Sequence, residues 1–134
     1  METLLISLFI ATILPIVAKA PLAYAMFKDR GYNNRYPRSQ QAGLTGFGAR
    51  AKAAHENSFE ALLMFSPGVL AVLALDVATE WTQYCAIAFI FARIMYLIMY
   101  WIDVHIARSL FWGVGFFASL AILWDAMVQV AAIY

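Results

Sequence analysis

The sequence predicts an all-α membrane protein, a bundle of four transmembrane helices, and three observations predict it. Of the 134 residues 64% are hydrophobic and only 13% charged, more apolar side chain than a soluble domain of this size can cover. The apolar residues come in runs of about 20 or more, the length that a hydrocarbon core demands at helical rise. The charged residues collect between the runs, most densely between residues 28 and 60.

The first run spans about residues 4–27 and contains Pro15, Lys19 and Pro21. Ala18-Lys19-Ala20 imitates a signal-peptide cleavage site. Glu2 stands where a basic leader would begin and Pro21 would follow the cut, so the expectation is a retained helix. A polar connector follows, with Tyr36-Pro37 and Gly43, Gly46 and Gly48 as breakers, and is read as a loop outside the hydrocarbon. The second span is placed at 49–75, polar in its first turns and apolar from Ala61, with Ser66-Pro67-Gly68 expected to kink it. An acidic link, Asp76 to Glu80, leads to a third span at 81–102 whose one charge is Arg93, and Asp103 to Arg108 leads to a fourth at 109–133. The whole chain reads as one domain.

Charge sets the orientation and excludes some functions. Lys28, Arg30, Arg35, Arg38, Arg50 and Lys52 surround the first loop, the second loop has no basic residue, and the third has Arg108. Loops one and three are therefore expected on the cytoplasmic side and both termini on the other. A net charge of +1 argues against a nucleic-acid footprint, which needs a clustered basic surface. Cys85 is the single cysteine, so no intrachain disulfide forms. His55 and His105 lie near the basic end, but no further ligand is spaced as a metal or haem site requires. Gly43, Gly46 and Gly48 imitate a phosphate loop without its strand or its Gly-Lys-Ser/Thr ending.

Three groups carry candidate chemistry. Arg93 sits roughly ten residues, about 15 Å of helix, from the nearer membrane boundary. An arginine at such depth costs roughly 3 kcal/mol to insert, so its guanidinium is expected to face protein. Tyr96 and Tyr100 follow at three and seven residues and share its face; a structural ion pair with interfacial tyrosines is the alternative to a ligand site. On the second span Arg50, Asn57 and Glu60 share a face, Glu60 is the expected partner of Arg93, and Asn57 offers a donor and an acceptor beside it. A structural clasp between helices is the plainer reading. Arg108 and Ser109 are expected at the free N-terminus of the fourth helix, where backbone N–H groups favour an anion or a thiolate; a surface arginine and a helix cap are the alternative. Asp125 is read as solvated, and Lys19 as turned into the bundle, an oligomer interior or the first loop.

These residues resemble the MAPEG family, membrane-associated proteins of eicosanoid and glutathione metabolism. One motif is Arg50-Ala51-Lys52-Ala53-Ala54-His55-Glu56-Asn57-Ser58-Phe59-Glu60, similar to the family's arginine and Asn-x-x-Glu at the head of helix two. The other is Arg93-Ile94-Met95-Tyr96-Leu97-Ile98-Met99-Tyr100 with Arg108-Ser109 beyond it. The resemblance implies a homotrimer of four-helix subunits, embedded in membrane lipid, with glutathione as co-substrate between neighbouring subunits and a lipophilic electrophile entering from the bilayer. It implies glutathione contacts at Asn57, Glu60, Arg93, Tyr96 and Tyr100, flanking roles for Arg50 and His55, and thiolate stabilisation by Arg108 or Ser109 with Tyr96 beside it. Ala53 and Glu56 depart from the pattern, Glu56 standing where prostaglandin-forming members have arginine, which turns the expectation away from eicosanoid chemistry. The implied activity is a glutathione-dependent transferase or peroxidase. The alternative is a non-catalytic lipid- or thiol-binding protein of the same fold. A small proton-coupled exporter is disfavoured, since it would need a membrane-embedded carboxylate where the first helix carries Lys19.

Overall fold

A computed structural model describes residues 1–133 of the chain. The described residues form α1 (Glu2–Arg30), α2 (Pro37–Ala42), α3 (Gly46–Leu75), α4 (Glu80–Trp101) and α5 (His105–Ile133), with no strand among them. All but α2 are long and apolar enough to cross a membrane. The fold is therefore the four-helix membrane bundle that the composition predicts.

Local chemistry explains where each helix stops. α1 ends at Gly31, whose φ of 76° suits glycine. The Gln40 side chain then closes that end by donating to the carbonyls of Met26 and Gly31 at 3.0 and 2.9 Å. Gln40 lies on α2, a short helix within the stretch expected to be all loop; Pro37 at its start has φ preset for a first turn. The two short links share one device. Asp76 and Asp103 take the left-handed conformation, at φ 54° and 64°, and the next residue reaches back over the helix end. Val77 donates to the Val72 carbonyl at 3.1 Å and Val104 to the Met99 carbonyl at 2.9 Å, so both terminations are Schellman motifs with aspartate in the usual glycine place.

α4 starts on a reciprocal capping box, Thr79 Oγ1 accepting from the Thr82 amide and Thr82 Oγ1 from the Thr79 amide, both at 3.1 Å. The Thr79 hydroxyl also donates to Asp125 Oδ2 at 2.8 Å, so Asp125 is paired across the bundle rather than merely solvated. α5 begins four residues earlier than expected, because nothing in His105-Ile106-Ala107-Arg108 opposes a helix. α3 stays helical through Ser66-Pro67-Gly68. Gly68 serves packing there: a Cβ would come within 3.1 Å of the Leu123 backbone nitrogen on α5.

Inside, Phe65 of α3 stacks on Phe89 of α4 with centroids 3.9 Å apart, and Val69, Val72 and Ile122 close around them. Outside, Phe9, Ile16, Leu63, Leu110, Phe117 and Trp124 are all exposed. Water would penalise such a surface and lipid does not.

Candidate functional site

α3 and α4 pack so that residue 57 faces residue 93, and the side chains there form a polar relay. Arg93 is only 3% exposed. Its Nη2 donates to Asn57 Oδ1 at 2.9 Å and, more weakly, to the Asn57 carbonyl at 3.4 Å. Asn57 Nδ2 donates in turn to Glu60 Oε2 at 2.7 Å. The carboxamide thus presents its acceptor to the cation and its donor to the carboxylate, the one orientation that satisfies both. The direct Glu60–Arg93 ion pair expected from the sequence does not form. Asn57 stands between the two charges because a carboxamide at that position already spans them, leaving Glu60 at the exposed edge.

The rest of the polar stripe on α4 is a pair of tyrosines held between two cations. The Arg93 guanidinium carbon lies 4.0 Å from the Tyr96 ring centroid, Tyr96 and Tyr100 meet edge to face at 5.5 Å, and the Arg108 guanidinium lies 4.5 Å from the Tyr100 ring. Two arginines on different helices are thereby joined through two tyrosine rings, each cation set against the negative π face. Spacing on α4 foretold the first three members, while Arg108 enters from α5.

Beside Arg93 and Asn57 a recess of about 70 Å³ opens between α3 and α5. Trp112, Gly115, Phe116 and Ser119 wall it from α5, at positions i, i+3, i+4 and i+7. These four were not among the residues expected from the sequence. Their shared face is the available signal, hidden because α5 is apolar around nearly its whole circumference between Leu110 and Trp124.

Three expected members lie elsewhere. Ser109 is in the second turn of α5, not at its free end: the Arg108 amide already bonds to the Val104 carbonyl at 3.0 Å, and the Ser109 hydroxyl donates to the His105 carbonyl at 3.0 Å. The free N–H groups of that terminus belong to residues 105–107 instead, a consequence of the early helix start. Arg50 pairs with Asp103 at 3.7 Å, tying the head of α3 to the link before α5, and does not join Asn57 and Glu60. Its Nε is buried without a partner among the described residues.

His55 faces α1, its Nδ1 within 2.8 Å of the Pro15 carbonyl. There it borders a second recess, of about 400 Å³, with Lys19, Arg38, Lys52 and Glu56, the last two paired at 2.9 Å. Lys19 is thus directed toward the α2 segment. Cys85 is buried and unpaired far along α4 from the relay.

No curated protein and no solved structure matches the chain significantly. The sequence profile described as the MAPEG family matches residues 3–128 of the 134, nearly the whole chain. With four apolar helices and this match, the protein is an integral, multi-pass membrane protein. The chain belongs to the MAPEG family, the membrane-associated proteins of eicosanoid and glutathione metabolism.

Proposed function

We propose that the protein is a glutathione-dependent membrane transferase or peroxidase acting on lipophilic electrophiles. The observation that carries this reading is the relay from the buried Arg93 through Asn57 to the exposed Glu60, open to a recess beside lipid-facing aromatic residues. A cation held this deep needs a use that offsets its insertion cost, and only Nη2 of the guanidinium donates to the described residues, leaving donors for an anionic tripeptide. Glu60 offers a carboxylate for the peptide's ammonium group. Arg93, Tyr96 and Tyr100 line one flank, with Asn57 supplying a peptide-like partner.

In the catalytic step the glutathione S–H gives its proton to solvent, and the thiolate forms a bond to the electrophilic carbon as a leaving group departs with its electron pair. With a lipid hydroperoxide the thiolate attacks the terminal oxygen instead, the O–O bond breaks and the alkoxide takes a proton from solvent to leave as the alcohol. The thiolate of a second glutathione then attacks the sulfur of the resulting sulfenic acid, forming the disulfide as the hydroxyl group leaves as water. Arg108 is the residue we assign to the thiolate, because it stands at the membrane-boundary end of the arginine–tyrosine ladder. Ser109 ranks behind it, since its hydroxyl proton is engaged by the His105 carbonyl. The Tyr96 hydroxyl is the second candidate donor to sulfur.

A recess of about 70 Å³ holds roughly two water molecules, not a tripeptide. The ligand must therefore rest on a surface completed by another molecule, which supports a homotrimer with glutathione between neighbouring subunits. In that arrangement one copy supplies Asn57, Glu60, Arg93, Tyr96, Tyr100 and Arg108. An adjoining copy offers His55 from its basic recess, and Arg50 acts indirectly, by fixing the link that leads to Arg108. Loops one and three face the cytoplasm in this reading, where the co-substrate is dissolved.

The test is a glutathione titration of detergent-purified protein, run beside conjugation of a chloronitrobenzene and reduction of a lipid hydroperoxide. Saturable binding with turnover of either substrate is the expected result. Binding without turnover would assign the chain to non-catalytic thiol-binding proteins of the fold, and absence of both would remove glutathione from the account.

A further inference from the structure

Glycine inside a helix is destabilising relative to alanine, and α5 carries two, Gly113 and Gly115. Their surroundings differ. A Cβ at Gly113 would meet nothing within 4 Å, whereas one at Gly115 would lie 3.3 Å from Cδ of Arg93 and 3.8 Å from Cδ2 of Phe89. The alkyl stem of the buried arginine therefore runs directly over the α5 backbone. Phe89, one turn earlier on α4, cannot easily yield, because its ring is stacked on Phe65. At its far end the arginine is fixed by Asn57 at 2.9 Å.

We propose that Gly115 is a positioning residue of the candidate site: the missing side chain sets how deeply Arg93 lies against α5, and so whether its Nη2 reaches Asn57. A methyl group here displaces the stem by a few tenths of an ångström, enough to carry a 2.9 Å hydrogen bond toward the edge of the bonding range. What the guanidinium then binds rests on the glutathione reading; its placement by Gly115 does not.

The test pairs Gly115→Ala with Gly113→Ala, so that any gain in helix propensity is common to both. Two readouts are taken on detergent-purified protein: the side-chain Nε–H NMR resonance of Arg93, and the glutathione dissociation constant. Gly115→Ala is expected to move the resonance and to weaken glutathione binding roughly three- to ten-fold, as loss of part of one hydrogen bond does. Gly113→Ala leaves both unchanged.

A third readout, the thermal midpoint, is lowered by Gly115→Ala in the wild-type background and is not lowered by it in an Arg93→Ala background, where the stem is gone. If Gly115→Ala alone does not fold, adding Phe89→Leu makes room for the stem and restores both folding and the wild-type resonance. An unmoved Arg93 resonance, an equal loss of midpoint with and without Arg93, or failure of that rescue overturns the proposal. Should wild-type protein bind no glutathione, the functional reading falls, and the resonance alone still decides the role of Gly115.

Discussion

Asn57 is the residue on which the candidate site turns, because among the described residues it is the one hydrogen-bonded to both Arg93 and Glu60. Replacing it with alanine removes the stronger, side-chain acceptor of a buried guanidinium donor and leaves only the weak bond to the residue-57 carbonyl, at a cost of about 1–3 kcal/mol. Asn57→Ala should therefore lower the thermal midpoint in detergent and abolish measurable glutathione binding, read by calorimetry on the same preparation. Arg108→Gln should separate the two effects: glutathione still binds, but the ultraviolet absorbance of bound thiolate is lost and conjugation slows at least ten-fold, about 1.4 kcal/mol of thiolate stabilisation. Retained thiolate absorbance in that variant would move the role to Tyr96 or Ser109. At this scale the sequence was informative where helical spacing decides, as for Arg93, Tyr96 and Tyr100. It was silent where packing between helices decides. Spacing puts Asn57 and Glu60 on one face, but only the way α3 packs on α4, setting residue 57 against residue 93, determines that the carboxamide, not the carboxylate, meets the arginine. Spacing likewise grouped Arg50 with them, whereas the turn of the chain at Asp103 draws it away.

The helices are held at their ends by polar side chains from distant parts of the chain. Thr79 caps α4 and donates to Asp125 of α5, so Thr79→Val removes a cap worth about 1 kcal/mol and strands a carboxylate. The expected outcome is a lower thermal midpoint with glutathione binding intact, since this end is remote from Arg93. Loss of binding in that variant would mean that the two ends of the bundle are coupled. Apolar runs locate the four long helices because bilayer thickness dictates their length. The same runs do not fix the ends: α5 gains a turn at residues 105–108 for want of a breaker, and α2 forms where Gly, Asn and Arg suggested coil. Contacts such as Gln40 with the Met26 carbonyl, or Thr79 with Asp125, leave no periodic mark in a sequence.

On the scale of the whole molecule, the proposed function requires a second copy to complete the small recess beside Arg93, with His55 placed apart from it. Native mass spectrometry from mild detergent should give three times the 15.0 kDa chain, and glutathione affinity should fall when the assembly is diluted to monomers. A monomer that binds as tightly as the assembly would refute the shared site. The buried arginine also constrains how the protein is made. Its acceptor, Asn57, precedes it by 36 residues and belongs to the helix synthesised before α4. The nascent α4 sheds part of the roughly 3 kcal/mol penalty of its cation when α3 already lies beside it. A ribosome-bound chain with the 57 carboxamide removed is therefore expected to release α4 into the bilayer later than the unaltered chain.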